Sequence, residues 1–382
     1  MHWIFLLTIL SAVLYLMLSL LLFVRRSPGP QNRPTSLPRV AVLIAMRNEE
    51  HYIADCLTSL TAQNYPKDKY DVFILDDGST DRSPSIARAF CARESNFHYQ
   101  PVASGVSGLF GKMNALAQGI RKTRHDIIMI TDADCVVPSG WISGNVAYFS
   151  GDIGMVGHLT VLYPHGRLRP SRAERSLFAK IQALDWLFLQ TLAAKNSHMG
   201  KPITILGNNF SFRRVAYDQV GGFETLGFSV TEDFALMEAV RKQTHWKVTH
   251  TLDPQTAIYS HPVPTLKAFV QQRFRWIRGG RKARPWGIFI MSLAVFTHFS
   301  FLLTIANGHQ TSALWGLLGG VVLSDFGMLY PTVRKLGLRS LLTFFPLFEI
   351  FYWLYSLFFA LLYFLPVKVR WKGRTFERER SS

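Results

Sequence analysis

The sequence predicts an α/β fold with a mostly parallel sheet, set between transmembrane helices at the two ends of the chain. Three observations carry that expectation. Between residues 39 and 284, short β-branched runs alternate with amphipathic stretches, the rhythm of strand–helix–strand units joined by right-handed crossovers. Outside that span, apolar runs with almost no charge occupy 3–24, 286–306, 312–332 and 340–366. The net charge of +17 lies at the borders of those runs: four bases at 25–39, six at 273–284, three at 334–339, and six at 367–382 beside two glutamates.

Taken in order, residues 3–24 form 22 positions without a charge, enough for one helix across a hydrocarbon layer of about 30 Å. A cleavable signal peptide needs a basic stretch before the run and small residues after it. Arg25 and Arg26 follow instead, so 1–26 is expected to be an anchor, with residues from 25 onward cytoplasmic. Pro28, Pro30, Pro34 and Pro38 make 27–38 a stiff linker. The α/β domain is expected over 39–264. Its first strands are VAVLIA (40–45), VFIL (72–75), FHYQP (97–101) and IIMI (127–130), and helices follow at 49–62, 82–93, 110–122 and near 138–149. A basic interfacial segment covers 265–284, a membrane region 285–366, and a basic tail 367–382. The uncharged loop Asn307–Thr311 suits the far side of a hairpin, and Val333–Arg339, with three bases, the near side. Three full crossings after the domain would leave the basic tail outside. Either the tail breaks the charge rule or, since Pro346 and Glu349 interrupt the last run, 340–366 is re-entrant or lies in the interface, so two or three helices are expected.

At 382 residues, 48% hydrophobic and mean hydropathy +0.13, the chain is no disordered, collagen-like or disulfide-framework protein. Cys56, Cys91 and Cys135 form no C-x-x-C pair and are odd in number, which fits a reducing compartment and no structural zinc site. The surplus bases flank apolar runs rather than one folded face, so no nucleic-acid partner is expected.

Parallel α/β sheets bind ligands beyond the carboxyl ends of their strands. The polar turn Met46-Arg47-Asn48-Glu49-Glu50 follows the first strand. Asp76-Asp77-Gly78-Ser79-Thr80-Asp81 follows the second; Gly78 permits a tight turn and Ser79 or Thr80 can cap the next helix. A carboxylate there can equally accept from a base N–H or a ribose hydroxyl. Thr131-Asp132-Ala133-Asp134 ends the strand at 127–130. Two carboxylates two residues apart repel unless a positive charge lies between them, a need met by Mg²⁺ or Mn²⁺ with a nucleotide diphosphate. Thr231-Glu232-Asp233 opens a helix and, by itself, is a plain start with acids suited to the helix dipole. Gln272-Arg273-Phe274-Arg275-Trp276 lies among bases that could simply face anionic lipid. Asp325 and Glu349 fall inside apolar runs, where acids are costly. They are expected to meet an acceptor head group or a basic residue, or to pair between helices.

Together, Asp-Asp-Gly-Ser, Asp-x-Asp, Glu-Asp and Gln-x-x-Arg-Trp, in that order, resemble the membrane-bound inverting family 2 glycosyltransferases. These include cellulose, chitin, hyaluronan and poly-N-acetylglucosamine synthases and ceramide glucosyltransferase. Gly111–Leu116, Gly207-Asn208-Asn209 with Arg213-Arg214, and Val220–Phe223 fit as well, and the resemblance covers 39–284. It implies a GT-A catalytic domain and a donor that is a nucleotide diphosphate sugar, usually UDP-linked. By resemblance, Asp77, with Asp76 beside it, contacts the uracil or ribose, and Glu49 and Lys112 lie near the nucleotide. Asp132 and Asp134 sit at the diphosphate with Mg²⁺ or Mn²⁺, Asp134 as the more direct ligand. Asp233 is the general base. Glu232, Gln272, Arg275 and Trp276 close over the diphosphate and acceptor.

The activity so implied is transfer of one or a few sugars to a lipid-borne or membrane-associated acceptor with a β-glycosidic product. The protein would be integral to the membrane, the plasma membrane if bacterial. A processive polysaccharide synthase of the same family is the alternative, though few spans are available to line a polymer channel. A nucleotide-sugar-binding regulatory pseudoenzyme should lack the base or the metal ligands, yet Asp132, Asp134 and Asp233 are all present. A transporter would carry more spans and a smaller polar domain.

Overall fold

Strands covered on both faces need apolar side chains at every position rather than at alternate ones. Residues Val40 to Ile44 meet that need and are all fully buried. The computed structural model describes residues 2–26, 29–30, 36–162, 175–279, 285–362, 369–371 and 374–376. In chain order its elements are α1 (His2–Phe23), β1 (Val40–Met46), α2 (Ile53–Thr61), β2 (Tyr70–Asp76), α3 (Ser83–Cys91), β3 (Phe97–Pro101), α4 (Gly111–Lys122), β4 (Ile127–Asp132) and α5 (Trp141–Val146). There follow β5 (Ile153–Gly157), β6 (Thr160–Val161), α6 (Leu177–His198), β7 (Asn209–Arg213), α7 (Arg214–Gln219), α8 (Gly222–Leu226), α9 (Glu232–Gln243), β8 (Lys247–His250) and β9 (Ile258–Tyr259). The chain continues through α10 (Leu266–Gly279), α11 (Pro285–Ala306), α12 (Ser312–Lys335), α13 (Phe345–Leu362) and the hairpin β10 (Val369–Trp371) and β11 (Arg374–Phe376).

The chain divides into two compact units. An α/β unit comprises residues 27–168 and 204–261, and a helical unit comprises 1–26, 169–203 and 262–382. In the α/β unit a seven-stranded sheet runs in the order β3-β2-β1-β4-β7-β5-β8. Strands β3, β2, β1 and β4 are mutually parallel, and β7 lies antiparallel between β4 and β5. Alternate residues feed two cores. Val40, Val42, Ile44, Val72, Ile74, Ile127 and Met129 meet α2, α3 and α5 on one face. Ala41, Leu43, Leu75, Ile128 and Ile130 meet α4, α7 and α9 on the other. Each fully buried aliphatic side chain stabilises the fold by about 1.5–3 kcal/mol relative to exposure.

The order reverses at β1, whose neighbours are β2 and β4, which makes the crevice beyond these carboxyl ends the place for a ligand. Register sets those ends level: Met46 pairs with Asp76, and Ala45 with Asp132. Because β7 is antiparallel, its first residue, Asn209, pairs with Thr131, so the segment just before it arrives at the same edge.

Among the described residues of the helical unit, four helices are long and apolar enough to cross a membrane: Trp3–Phe23, Pro285–Ala306, Ser312–Lys335 and Arg339–Leu361. Pro346 lies in the first turn of α13, where proline is tolerated, and a 3₁₀ turn over Arg339–Phe344 leads into it. Apolar side chains of α1, α11 and α12 (Ala12, Leu293, Phe301, Leu314, Val321) pack together, while Leu10, Met17, Met291, Leu323 and Leu354 point outward. These helices thus carry apolar side chains on their outward as well as their packed faces.

Candidate active site

The turns after β1 and β2 are stitched to each other rather than each capping its own helix. The Asn48 amide donates to Ser79 Oγ (3.0 Å), the Thr80 amide to Asn48 Oδ1 (2.8 Å), and the Glu49 amide to Ser83 Oγ (2.8 Å). This corrects the expectation that Ser79 or Thr80 caps the next helix, since α3 starts only at Ser83 and has no side-chain cap. Both turns need left-handed backbone: Gly78 has φ +76° and Asn48 φ +54°, and asparagine is among the few side chains that tolerate it.

Asp76 is largely consumed by structure. Its Oδ1 accepts from the Ser79 amide (2.9 Å) and its Oδ2 from the Tyr99 hydroxyl (2.6 Å). Burial and then that carboxylate push the Tyr99 phenol up to about 12. Asp77 is buried, with Arg47 beside it: Arg47 Nη1 donates to the Asp77 carbonyl (2.8 Å) and lies 3.9 Å from its carboxylate. Arg47 gave only a weak sequence signal, a base directly after a strand.

Lys112 is the centre of the site. Its Nζ donates to Asp132 Oδ1 (2.6 Å) and to the Gly207 carbonyl (2.7 Å), and stands 3.3 Å from Glu232 Oε1. Burial pushes the ammonium down, but Asp132 and Glu232 outweigh it and hold it above the ordinary lysine range, so it is a fixed cation rather than a base. It places one fixed positive charge on Asp132, the first carboxylate of the Asp132–Asp134 pair.

At Gly207 the backbone passes close to two carboxylates. A Cβ would come 3.0 Å from Asp233 Oδ2 and 3.2 Å from Glu232 Oε1. The segment is anchored by buried Asn209, which accepts from the Trp141 indole N–H (3.0 Å) and donates to the Leu159 and Thr256 carbonyls (2.6 and 3.0 Å). Asn208 accepts from the Thr160 hydroxyl (2.9 Å). Glu232 and Asp233 open α9, where the amides of the first turn favour negative charge, and Asp233 Oδ1 accepts from the Phe234 amide (2.8 Å).

Asp134 is half-buried beside the Cys135 thiol, 3.4 Å away. Burial pushes the Cys56 and Cys135 thiols up, which makes both inert. The carboxyl edge of the sheet thus gathers Asp76, Asp77, Asp132, Asp134, Glu232, Asp233 and Lys112, with Glu49 opening the turn ahead of α2. Acids outnumber bases there, and the donors are hard oxygens that fit Mg²⁺ or Mn²⁺.

Gln272, Arg275 and Trp276 belong to the helical unit, on α10. Between them Arg273 turns inward. It pairs with fully buried Asp185 of α6, which also accepts from the Tyr355 hydroxyl (2.5 Å), and its guanidinium lies 4.2 Å from the Trp276 ring centre. Trp276 packs on Trp186 at 4.8 Å. Arg273, hidden inside the motif as a variable position, is what fixes this stretch of α10.

A model of the family described as Glycosyl transferase family 21 matches residues 4–381. Over 244 residues the chain is 31% identical to a β-monoglucosyldiacylglycerol synthase of Synechocystis, covering 64% of this chain and 48% of the relative. Over 250 residues it is 25% identical to a poly-β-1,6-N-acetyl-D-glucosamine synthase of Staphylococcus epidermidis, covering 64% and 55%. The chain spans about half the length of the curated relatives it matches. A mannosyltransferase from Pyrobaculum calidifontis, solved with GDP-Man and Mn²⁺, superposes with a TM-score of 0.56 at 18% identity over 91% of this chain and 96% of that one, a likeness of fold.

Proposed function

The chain belongs to glycosyl transferase family 21, and on that premise we propose an inverting transfer of a sugar from a nucleotide diphosphate sugar, UDP-linked, to a lipid-borne hydroxyl at a membrane face. The observation that carries the proposal is the Lys112 cluster, which sets Asp132, Glu232 and, across Gly207, Asp233 around one point at the carboxyl edge of the sheet.

Inversion in one displacement needs a single base on the face opposite the leaving group. Asp233 suits that part. Its place at the start of α9 favours the carboxylate form. The acceptor oxygen bonds to the anomeric carbon as its proton passes to Asp233, and the bond from that carbon to the diphosphate breaks. An α-linked donor then gives a β-linked product. Asp77 accepts from the nucleoside, Glu49 lies near it, and Asp76 shapes the turn that presents both. Lys112 fixes Asp132 and Glu232 and lends its charge to the diphosphate side.

Asp134, with Asp132 beside it, would hold Mg²⁺ or Mn²⁺. Such an ion supplies charge neutralisation for the leaving diphosphate where acids already predominate. The part of Gln272, Arg275 and Trp276 in the reaction rests on the motif they form. Arg25 and Arg26 favour the cytoplasmic face for catalysis.

A lipid acceptor is favoured over a growing polymer because the four candidate spans are mainly apolar and carry few charged side chains with which to line a sugar path. A relative named for a glucosyldiacylglycerol product supports the same reading. The test is Asp233→Asn: transfer from a UDP-sugar should fall at least ~100-fold while UDP binding stays within about twofold. Loss of UDP binding along with transfer would move Asp233 to the donor site, and retained transfer would remove it as the base.

A further inference from the structure

The helical unit buries a second cluster of polar groups that the transfer reaction does not use. His298 of α11, Asp325 of α12 and Glu349 of α13 are 2%, 1% and 6% exposed, and one ligand atom from each lies within 4.8 Å of the others. Each carboxylate is half satisfied. Asp325 Oδ1 accepts from the Tyr15 hydroxyl of α1 (2.5 Å), and Glu349 Oε1 accepts from the Trp353 indole N–H (2.8 Å). The other oxygens, Asp325 Oδ2 and Glu349 Oε2, accept from no other described side chain, nor has either ring nitrogen of His298 a hydrogen-bond partner, and the two carboxyl groups lie within reach of one shared proton. His298 Nε2 stands 3.8 Å from Asp325 Oδ2, beyond hydrogen-bond reach.

We propose that His298, Asp325 and Glu349 form a divalent metal site, of Zn²⁺ type, that clips the apolar helices together. Buried polar atoms without partners are rare in native proteins, and here several converge. Two carboxylates within apolar helices are costly as bare charges, and a doubly charged cation between them leaves the cluster neutral. One imidazole with two carboxylates suits a borderline ion such as Zn²⁺; Mg²⁺ prefers an all-oxygen octahedron rich in water.

The His298–Asp325 pair is near closure. Zinc bonds of about 2.0–2.2 Å set neighbouring ligand atoms roughly 3.3 Å apart, so the His298–Asp325 gap needs to shrink by about half an ångström. Tyr15 and Trp353 already hold the oxygens that would face away from the ion, the arrangement by which outer hydrogen bonds orient ligands. The His298 ring is held between helices by stacking on Trp353 at 4.5 Å. Three protein ligands bind α11, α12 and α13 to one ion, and Tyr15 joins α1 to it.

The full chain, purified in detergent without a metal-chelating column, should carry about one tightly held Zn²⁺ by elemental analysis after dialysis with Zn²⁺. That equivalent should be lost in His298→Ala and in Glu349→Gln, the latter keeping an acceptor for Trp353, and kept in Asp134→Asn. A strong chelator should lower the melting temperature of the unaltered protein by roughly 5 °C or more, and Zn²⁺ should restore it. Should the variants fail to fold, that reversible shift and the visible spectrum of the Co²⁺-loaded natural chain still decide. Zinc content equal in the natural chain and His298→Ala, or a melting temperature indifferent to chelator and Zn²⁺, would overturn the proposal in favour of a proton shared by Asp325 and Glu349.

Discussion

Lys112→Met removes one positive charge while keeping most of the side chain's volume. The lysine makes two charge-assisted hydrogen bonds, to Asp132 and the Gly207 carbonyl, and one close ion pair with Glu232. Hydrogen bonds to charged groups contribute about 1.5–3 kcal/mol each, and unpairing a buried charge costs about 3–5 kcal/mol. Water recovers part of that, because the Asp132 side chain is 35% exposed, although Glu232 is only 10% exposed. A net loss of about 3 kcal/mol follows, equivalent to roughly 6–12 °C in the melting of a unit this size. UDP affinity should fall at least about tenfold, a change of 1.4 kcal/mol, as the diphosphate would then face the acids with one base fewer. Differential scanning fluorimetry with and without UDP reads both effects, and Lys112→Arg should recover part of each. A Lys112→Met protein that melts with the natural one and binds UDP equally well would show that these contacts carry neither the fold nor the donor.

Chelation should stop turnover, and Asp134→Asn should weaken UDP binding in the presence of Mn²⁺ far more than in its absence; equal UDP affinity with and without Mn²⁺ in the natural protein would remove the metal assignment. Buried His158 packs against the hydroxyls of Thr251, Thr256 and Ser211, all at 3.1 Å. Burial, then nearby His250, holds its pKa well below the ordinary value, so the unfolded chain binds a proton that the folded one refuses. Stability is therefore complete above about pH 6.5 and falls by roughly 1.4 kcal/mol per pH unit below it. His158→Gln should flatten that slope in urea titrations between pH 6.5 and 5, and an unchanged slope would place the acid sensitivity elsewhere. Tyr99→Phe, which removes the hydroxyl that donates to Asp76, should cost about 1–2 kcal/mol and leave catalysis within a few-fold; a large loss of UDP binding would mean that Tyr99 meets the donor itself.

Strands β1 and β4 were legible because parallel strands buried on both faces read as unbroken apolar runs, as Val40–Ile44 and Ile127–Ile130 do; β5 to β9 were not read from the sequence. The acids of the site were legible because they directly follow such runs. What pattern could not supply was long-range closure. Lys112 reaches a carbonyl 95 residues away, and Gly207 approaches Asp233 through a strand whose antiparallel insertion leaves no periodic trace. Helix α6 hides for a different reason: buried Gln182, Asp185, Gln190 and Asn196 break its apolar character. Asp325 and Glu349 stood out as acids in apolar runs, whereas His298, neutral in the count of charges, did not.

The identity and linkage of the product test the account most directly. The purified protein, given a panel of labelled UDP-sugars, Mn²⁺ and a lipid with a free hydroxyl, should yield one discrete label-bearing species that partitions into organic solvent. Proton NMR of that species should show a β anomeric centre. High-molecular-weight glycan in the aqueous phase would contradict the lipid acceptor, and an α-linked lipid product would contradict the single displacement assigned to Asp233.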